Sequence, residues 1–281
     1  MINLRKYLSA FKFLKHVFYH LHGIDVSIHK TLMANFSALP FMDAIKIPII
    51  VYQGTEIEQI GKIKFNCPIR KGILVIGKRM FYRGQKTVII NRGTIEIDGD
   101  CEIMGGTTIH VLRYCSNFHI GNNVMIGECV RILADTSITV GDFTRITFGC
   151  LLIDSEFHFV LNTETGVVGT TRYPIKIGKY NWIGNSTVIK KGTITPDYTI
   201  VSNKSMLTKD YSDIPKYSIL LGTPAKLKGS GLRRIYNEEV DKKLNEFFMK
   251  HTDLRKTILP LDNNDLECDK ICNDEIRVHI H

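Results

Sequence analysis

His158 stands in Leu152-Ile153-Asp154-Ser155-Glu156-Phe157-His158, where an apolar run gives way to a stretch rich in Thr and Gly. A neutral imidazole is a suitable general base near neutral pH, able to take a proton from a hydroxyl or to assist an amine. Its second ring nitrogen then needs an acceptor that fixes the tautomer. Asp154, Glu156 and a backbone carbonyl are all open to that role. The chain has ten histidines, and an isolated one is ordinarily structural, so the chemistry depends on its setting. Cys268, Cys272, His279 and His281 are ligand-type residues, but their spacing matches no closed zinc pattern. They read as chance neighbours in a polar tail, and no metal site is expected.

The elements that must position His158 follow a period of six. Ile120-Gly121-Asn122-Asn123-Val124-Met125 is followed by Ile126-Gly127-Glu128-Cys129-Val130-Arg131; Val140-Gly141-Asp142 resumes it, then Ile177-Gly178-Lys179 and Ile183-Gly184-Asn185. Neither a helix nor a lone strand has that period; a stacked hexapeptide parallel β-helix does. Each aliphatic residue points inward onto its equivalent one coil away, with coils roughly 4.8 Å apart. Gly, Asn and Asp supply the corners.

Seven cysteines, odd in number and scattered through the repeats, predict reduced thiols in a cytoplasmic protein. A formal net charge of +9 suits anionic ligands such as nucleotide phosphates or a lipid headgroup surface. Clustered Lys-Arg blocks with interleaved aromatics are absent, which argues against nucleic acid. No secretory signal is visible, and Asp43 and Lys46 interrupt the best apolar run.

Three regions are expected. Residues 1–72 comprise an amphipathic helix and an irregular lead-in broken by Pro40, Pro48 and Pro68. Residues 1–22 place Leu4, Leu8, Phe11, Leu14, Phe18 and Leu21 at helical spacing, with Arg5, Lys6, Lys12 and Lys15 mostly elsewhere. That segment suits docking on the rod or a neighbouring subunit, or a peripheral membrane contact. Residues 73–228 carry the repeat, with a minor slip between Ile109 and Ile120 and a loop extruded over Ser155 to Pro174. Residues 229–281 are a helix, striped by Leu232, Tyr236, Val240, Leu244 and Phe247, and a polar tail after Pro260.

The ordered set Asp154-Ser155-Glu156-Phe157-His158, Pro174 to Gly184, Val188 to Gly192, Ser205 to Asp210 and Gly222-Thr223-Pro224-Ala225-Lys226 resembles the left-handed β-helix hexapeptide acyltransferases. The likeness is greatest to the maltose/galactoside O-acetyltransferase and capsular polysaccharide acetyltransferase branch. It implies an all-β fold, a left-handed parallel β-helix with N-terminal and C-terminal helices, and a homotrimer with sites between subunits. It further implies acetyl-CoA as co-substrate and a carbohydrate acceptor, which a lipid-linked sugar at the inner face of a membrane would satisfy.

By the same resemblance His158 matches the catalytic base, and Trp182 and Asp135 match acceptor-side residues. Gly184, Asn185 and Asn203 match the pantetheine channel, Thr208 and Lys209 the thiol-cofactor contacts, and Lys226 the nucleotide end. Gly184 is also a candidate donor to the oxyanion. The family's small residue is replaced by Asn203, and its acceptor-side Asn falls at Gly127. Two other classes compete: a non-catalytic binding or assembly protein on the same rod, and a γ-type carbonic anhydrase, for which His110, His119 and His158 are the only histidines within the repeat.

Overall fold

In the computed structural model residues 25–82, 84–236 and 238–257 are described, with Glu238 and Glu239 as backbone only. The amphipathic segment expected over 1–22 and the polar tail lie outside them. Nearly all the strands pair in parallel and form three sheets of nine, seven and five strands among the described residues. As far as Ile175–Ile177 successive strands visit sheets 1, 2 and 3 in turn, so each circuit is one coil of a parallel β-helix. Beyond it the strands belong to sheets 1 and 2, and single parallel bridges from Lys176 to Ile194 and from Ile194 to Asp210 continue the third side.

The pairing explains the period of six. In sheet 1 the register stacks Val51, Ile76, Ile103, Ile126, Ile146, Ile183, Val201 and Leu220 in one row. In sheet 2 it stacks Ile89, Ile109, Ile132, Leu152, Ile189 and Leu207. Sheet 3 adds Ile97, Ile120, Val140 and Ile177. All these side chains are buried in one core. Removing such a side chain to Ala costs about 2–5 kcal/mol in a packed core.

Polar corner residues tie one coil to the next. The Asp142 and Asp197 carboxylates accept from the N–H groups of Asn122 and Lys179, each at 2.8 Å. At the corner leading into sheet 1, Phe143, Tyr180 and Tyr198 stack at 4.8 and 4.7 Å, close to the coil rise. These three residues hold positive φ (56°, 55° and 59°); ring stacking and repeated corner geometry offset a conformation that such residues ordinarily avoid.

The stack begins earlier than the hexads indicate. Ile49–Val51, Thr55–Gln59 and Lys62–Phe65 form a complete first coil. Two helices precede or enter it: α1, Ile28–Ala38, and α2, Phe41–Ala44. Helix α1 caps the open sheet edge with two side chains spaced four apart. Asn35 donates to the Ile49 carbonyl at 2.7 Å and accepts from the Ile49 N–H at 3.1 Å, while Thr31 accepts from the Val51 N–H at 2.9 Å. Unpaired strand groups are thereby satisfied, which removes a site for edge-to-edge association. At the other end Ala225–Gly229 turns antiparallel against Ile219–Gly222 and ends the parallel series.

A second compact unit begins at Arg233 and contains α3, Glu238–Lys250. Among the described residues no helix is long and apolar enough to cross a membrane.

Candidate functional site

The extruded segment is a hairpin arm between Leu151–Ile153 of sheet 2 and Ile175–Ile177 of sheet 3. Antiparallel bridges join Ser155 to Arg172 and Leu161 to Val168. The Glu156 N–H donates to the Thr171 carbonyl at 2.7 Å. Asn162 forms the tip turn, its side-chain oxygen accepting from the N–H groups of Glu164 and Thr165 at 3.0 and 2.9 Å. His158 lies exposed on this arm, flanked by Phe157 and Phe159, which are 60 % and 71 % exposed.

The base of the arm is tightly built. Asp154 is fully buried and accepts from the Asp135 N–H at 2.7 Å and from the Thr136 N–H and hydroxyl, both at 2.8 Å. The Asp135 carboxylate, 4 % exposed, is gripped by Arg113 on one oxygen and Arg172 on the other. Glu156 pairs with Lys190 at 2.9 Å and Lys191 at 2.8 Å. Bonds to Lys191 first, then Lys190, pull its carboxyl down to about 2. Lys191 also donates to the Thr170 carbonyl at 2.6 Å. Neither acid suggested as an orienter of His158 is therefore idle, because both are spent on anchoring the arm.

The remaining expected residues fall on two edges of the rod. Asp135, the arm with His158, and Thr208 with Lys209 lie on the edge between sheets 2 and 3; Asp135 and the arm are on adjacent coils, and the coil of Val188–Lys190 separates the arm from Thr208 and Lys209. Thr208 and Lys209 are exposed, and the Lys209 ammonium sits 5.5 Å from the centre of the Tyr211 ring. Gly184, Asn185 and Asn203 lie on the edge between sheets 1 and 2. Trp182, 40 % exposed, is on the outer face of sheet 1 just before that edge, and Lys226 is on the terminal antiparallel strand.

Two expectations change with this placement. The Gly184 N–H donates to the Val201 carbonyl at 2.8 Å, so it is not free to hold an oxyanion. A Cβ there would lie 2.5 Å from Asn203 Oδ1 and 2.7 Å from both the Asn203 nitrogen and the Val201 oxygen; glycine is required by close approach of the next coil. Asn203, in turn, accepts from the Asn185 N–H at 2.8 Å and acts as a corner tie. Asp135 is also unlike the open acceptor contact expected of it: a bound sugar would have to open one of its ion pairs.

Between the two edges lies sheet 2, whose outer face is unusual. Its register places Val88, Thr108, Arg131, Leu151, Val188 and Met206 in one outward row and Ile90, His110, Leu133, Ile153 and Lys190 in the other, so aliphatic side chains predominate but Arg131, His110 and Lys190 interrupt them. The aliphatic members and Met206 are only partly buried. Sheet 3 instead presents polar pairs, Lys64 with Glu96 at 3.1 Å and His119 with Asp98 at 2.8 Å. His110 belongs to sheet 2 and His119 to sheet 3, so the repeat histidines do not converge as a three-histidine site. Among the described residues the five cysteines, Cys67, Cys101, Cys115, Cys129 and Cys150, are unpaired thiols. Burial pushes Cys101 up and Cys150 to about 11, which makes both poor nucleophiles.

Sequence reasoning passed over Arg113, Arg172, Lys190 and Lys191, which hold the arm, and Glu128, discussed below. The adjacent pair Lys190-Lys191 before Gly192 was the one visible signal.

Comparison with known proteins agrees with the resemblance. The chain is 30 % identical over 116 residues to the galactoside O-acetyltransferase of Escherichia coli (strain K12). That match covers 41 % of this chain and 54 % of the relative, so the chain spans about half the length of the curated protein it matches. No protein-family profile matches. Among solved structures, the polySia-specific acetyltransferase NeuO is 21 % identical, with 72 % of this chain and 93 % of that one covered at a TM-score of 0.49. The polysialic acid O-acetyltransferase OatWY is 19 % identical, with 71 % and 94 % covered at a TM-score of 0.38. The architecture itself rests on the strand pairing described above.

Proposed function

We propose that the chain is an acetyl-CoA-dependent O-acetyltransferase acting on a sugar of a surface polysaccharide. The observation that carries this reading is the 30 % identity to a galactoside O-acetyltransferase, in a chain whose motifs resemble that branch in order. Its activity, acceptor and partners are proposals, since only part of that relative is matched.

His158 takes the proton of an acceptor hydroxyl as the oxygen attacks the thioester carbonyl; the tetrahedral oxyanion then collapses, the C–S bond breaks, and the proton passes to the departing thiolate. Acetate becomes esterified to the sugar and free thiol is released. Holding both substrates in one groove supplies the orientation term without a covalent enzyme intermediate. A backbone N–H not already used within the coil stack must stabilise the oxyanion, because that of Gly184 is engaged. Lys209 and Lys226 serve the cofactor phosphates as point charges, and Asn185, Asn203 and Thr208 border its path.

A homotrimer fits the division of these residues. The two edges are separated by sheet 2, about 15–17 Å for a side of five residues, so one copy does not bring them together. A second copy covering the partly exposed Leu151, Val188 and Met206 on the outer face of sheet 2 would bring its own edge against the arm. Closed rotational symmetry then gives one site per interface. On this reading the enzyme works in the cytoplasm, peripheral to the inner face of a membrane, and the basic charge of the chain suits an anionic headgroup surface.

The test is thiol release from acetyl-CoA over a panel of galactosides, nucleotide sugars and oligosaccharides, with mass spectrometry of the product. Acceptor-dependent release that falls ~10²–10⁴-fold in His158→Ala is expected. A folded variant that binds acetyl-CoA and turns over at the parental rate would remove His158 from the mechanism. No acceptor-dependent release by the parent would favour the binding-protein reading.

A further inference from the structure

Glu128 is a charged residue at the edge between sheets 1 and 2, yet it is only 6 % exposed. Its carboxylate accepts from three consecutive backbone N–H groups: Met80 at 2.8 Å, Phe81 at 3.2 and 3.1 Å, and Tyr82 at 3.3 and 3.1 Å. These belong to the loop that leaves Leu74–Lys78 two coils earlier in the stack. A buried carboxylate is costly unless such bonds compensate for lost water, and successive amides aimed at one anion form a nest. The loop is therefore pinned by its backbone, and its side chains are turned outward.

The neighbouring coil makes room for it. A Cβ on Gly105 would fall 2.5 Å from the Arg79 side chain, and Gly106 holds φ +74° beside Gln85. What the pinned loop displays is apolar and aromatic: Met80, Phe81 and Tyr82 are 61 %, 87 % and 41 % exposed. Tyr82 meets Phe148, itself 44 % exposed, edge to face at 6.1 Å. Register places Phe148 one coil before Asn185 on the same edge, beside the strand that carries Trp182. A rigid aromatic surface thus adjoins the cofactor path.

Resting on the transferase reading, we propose that this loop is the acceptor-holding wall of the site, that a sugar ring stacks on Phe81 and Tyr82, and that Glu128 is the residue positioning it. A pyranose has an apolar C–H face and a polar rim. An aromatic platform with water at its sides suits it, as ligand sites combine apolar walls with few polar anchors. The position on the edge beside Asn185 is what favours a sugar over a second copy of the chain, whose expected seat is the outer face of sheet 2.

The full-length protein is tested as Phe81→Ser, Phe81→Ser with Tyr82→Ser, and Glu128→Gln. The exposed pair can be changed without disturbing the coil stack. The acceptor KM should rise about 5- to 10-fold for Phe81→Ser and further for the double variant, with KM for acetyl-CoA and the molar mass in solution unchanged. Glu128→Gln should raise the acceptor KM in the same sense. An unchanged acceptor KM in the folded double variant overturns the proposal, and so does a loss of oligomer, which would assign the loop to subunit contact. Saturation-transfer NMR without acetyl-CoA, using methyl β-galactoside and an α2,8-linked sialic acid oligomer as probes, separates this inference from the transferase reading. Transfer from the protein to either sugar, lost in the double variant, supports the wall even if no acetyl transfer is found. Transfer to neither sugar overturns it even if acetyl transfer occurs.

Discussion

Asp154→Asn should loosen the arm that carries His158 while leaving the rod folded. The wild-type carboxylate receives two buried backbone N–H groups and one hydroxyl, all within 2.8 Å. An asparagine oxygen can still serve the Asp135 N–H, but its NH₂ group then faces the Thr136 N–H. The threonine hydroxyl can turn to accept, whereas the backbone donor cannot and is left unsatisfied. One orphaned buried donor costs about 1–3 kcal/mol, and loss of charge assistance adds about 1 kcal/mol. Together these give about 3 kcal/mol, or about a 100-fold increase in local opening. Asp154→Ala strands every donor and should cost about 4–6 kcal/mol. The assay is hydrogen exchange under native conditions, read at the Asp135 and Thr136 amides and across the arm, with the amides of Ile126 and Ile146 as internal controls. Exchange at Asp135 and Thr136 within about threefold of wild type in Asp154→Asn would refute the assignment. Equal acceleration at the control amides would show that Asp154 supports the whole rod instead of the arm.

Glu156 is held well below its ordinary value by Lys191 and Lys190, so its ion pairs stabilise the arm above the unfolded value near 4.5 and are lost as pH falls toward about 2. Proteolysis of the arm should accelerate across that window in the parent and be pH-insensitive there in Glu156→Gln. Lys209→Ala with Lys226→Ala should raise KM for acetyl-CoA, more so at low salt, with a smaller change in kcat; unchanged cofactor affinity would misplace the nucleotide end. Gly184→Ala should cost about 1–3 kcal/mol by forcing a methyl against the Asn203 and Val201 backbones, whereas Gly169→Ala, with nothing within 4 Å of the added Cβ, should melt with the parent. Leu151→Asp with Val188→Asp should dissociate the oligomer in light scattering without unfolding the coil, and an unchanged mass would move the interface off sheet 2.

The repeat and the arm that carries His158 were legible in the chain because their signals are local. A six-residue period follows from three short strands per coil, and each buried aliphatic residue needs only its own hexad to be recognised. The first coil was legible only in part: Gly61-Lys62-Ile63-Lys64-Phe65 reads as one loose coil side, and Lys62–Phe65 is a strand. Ile49 to Gln59, however, lacks the Gly-Asn corner signature, and the edge is closed by Thr31 and Asn35 from a helix, a long-range arrangement. Ladder register likewise decides what a motif residue does. Gly184 looks like an oxyanion donor in sequence, but the next coil consumes its N–H, and the Asn203 side-chain oxygen is taken by the Asn185 N–H as a corner tie. Asp135 and Glu156 look like free acids, yet folding brings Arg113, Arg172, Lys190 and Lys191 onto them. Glu128 is an ordinary hexad residue until a loop from two coils away wraps its amides around it. Period and composition determine which side chains enter the core. Which polar groups remain free for chemistry was decided only by contacts between coils, because a hydrogen-bonding group used in one ladder is no longer available to a substrate.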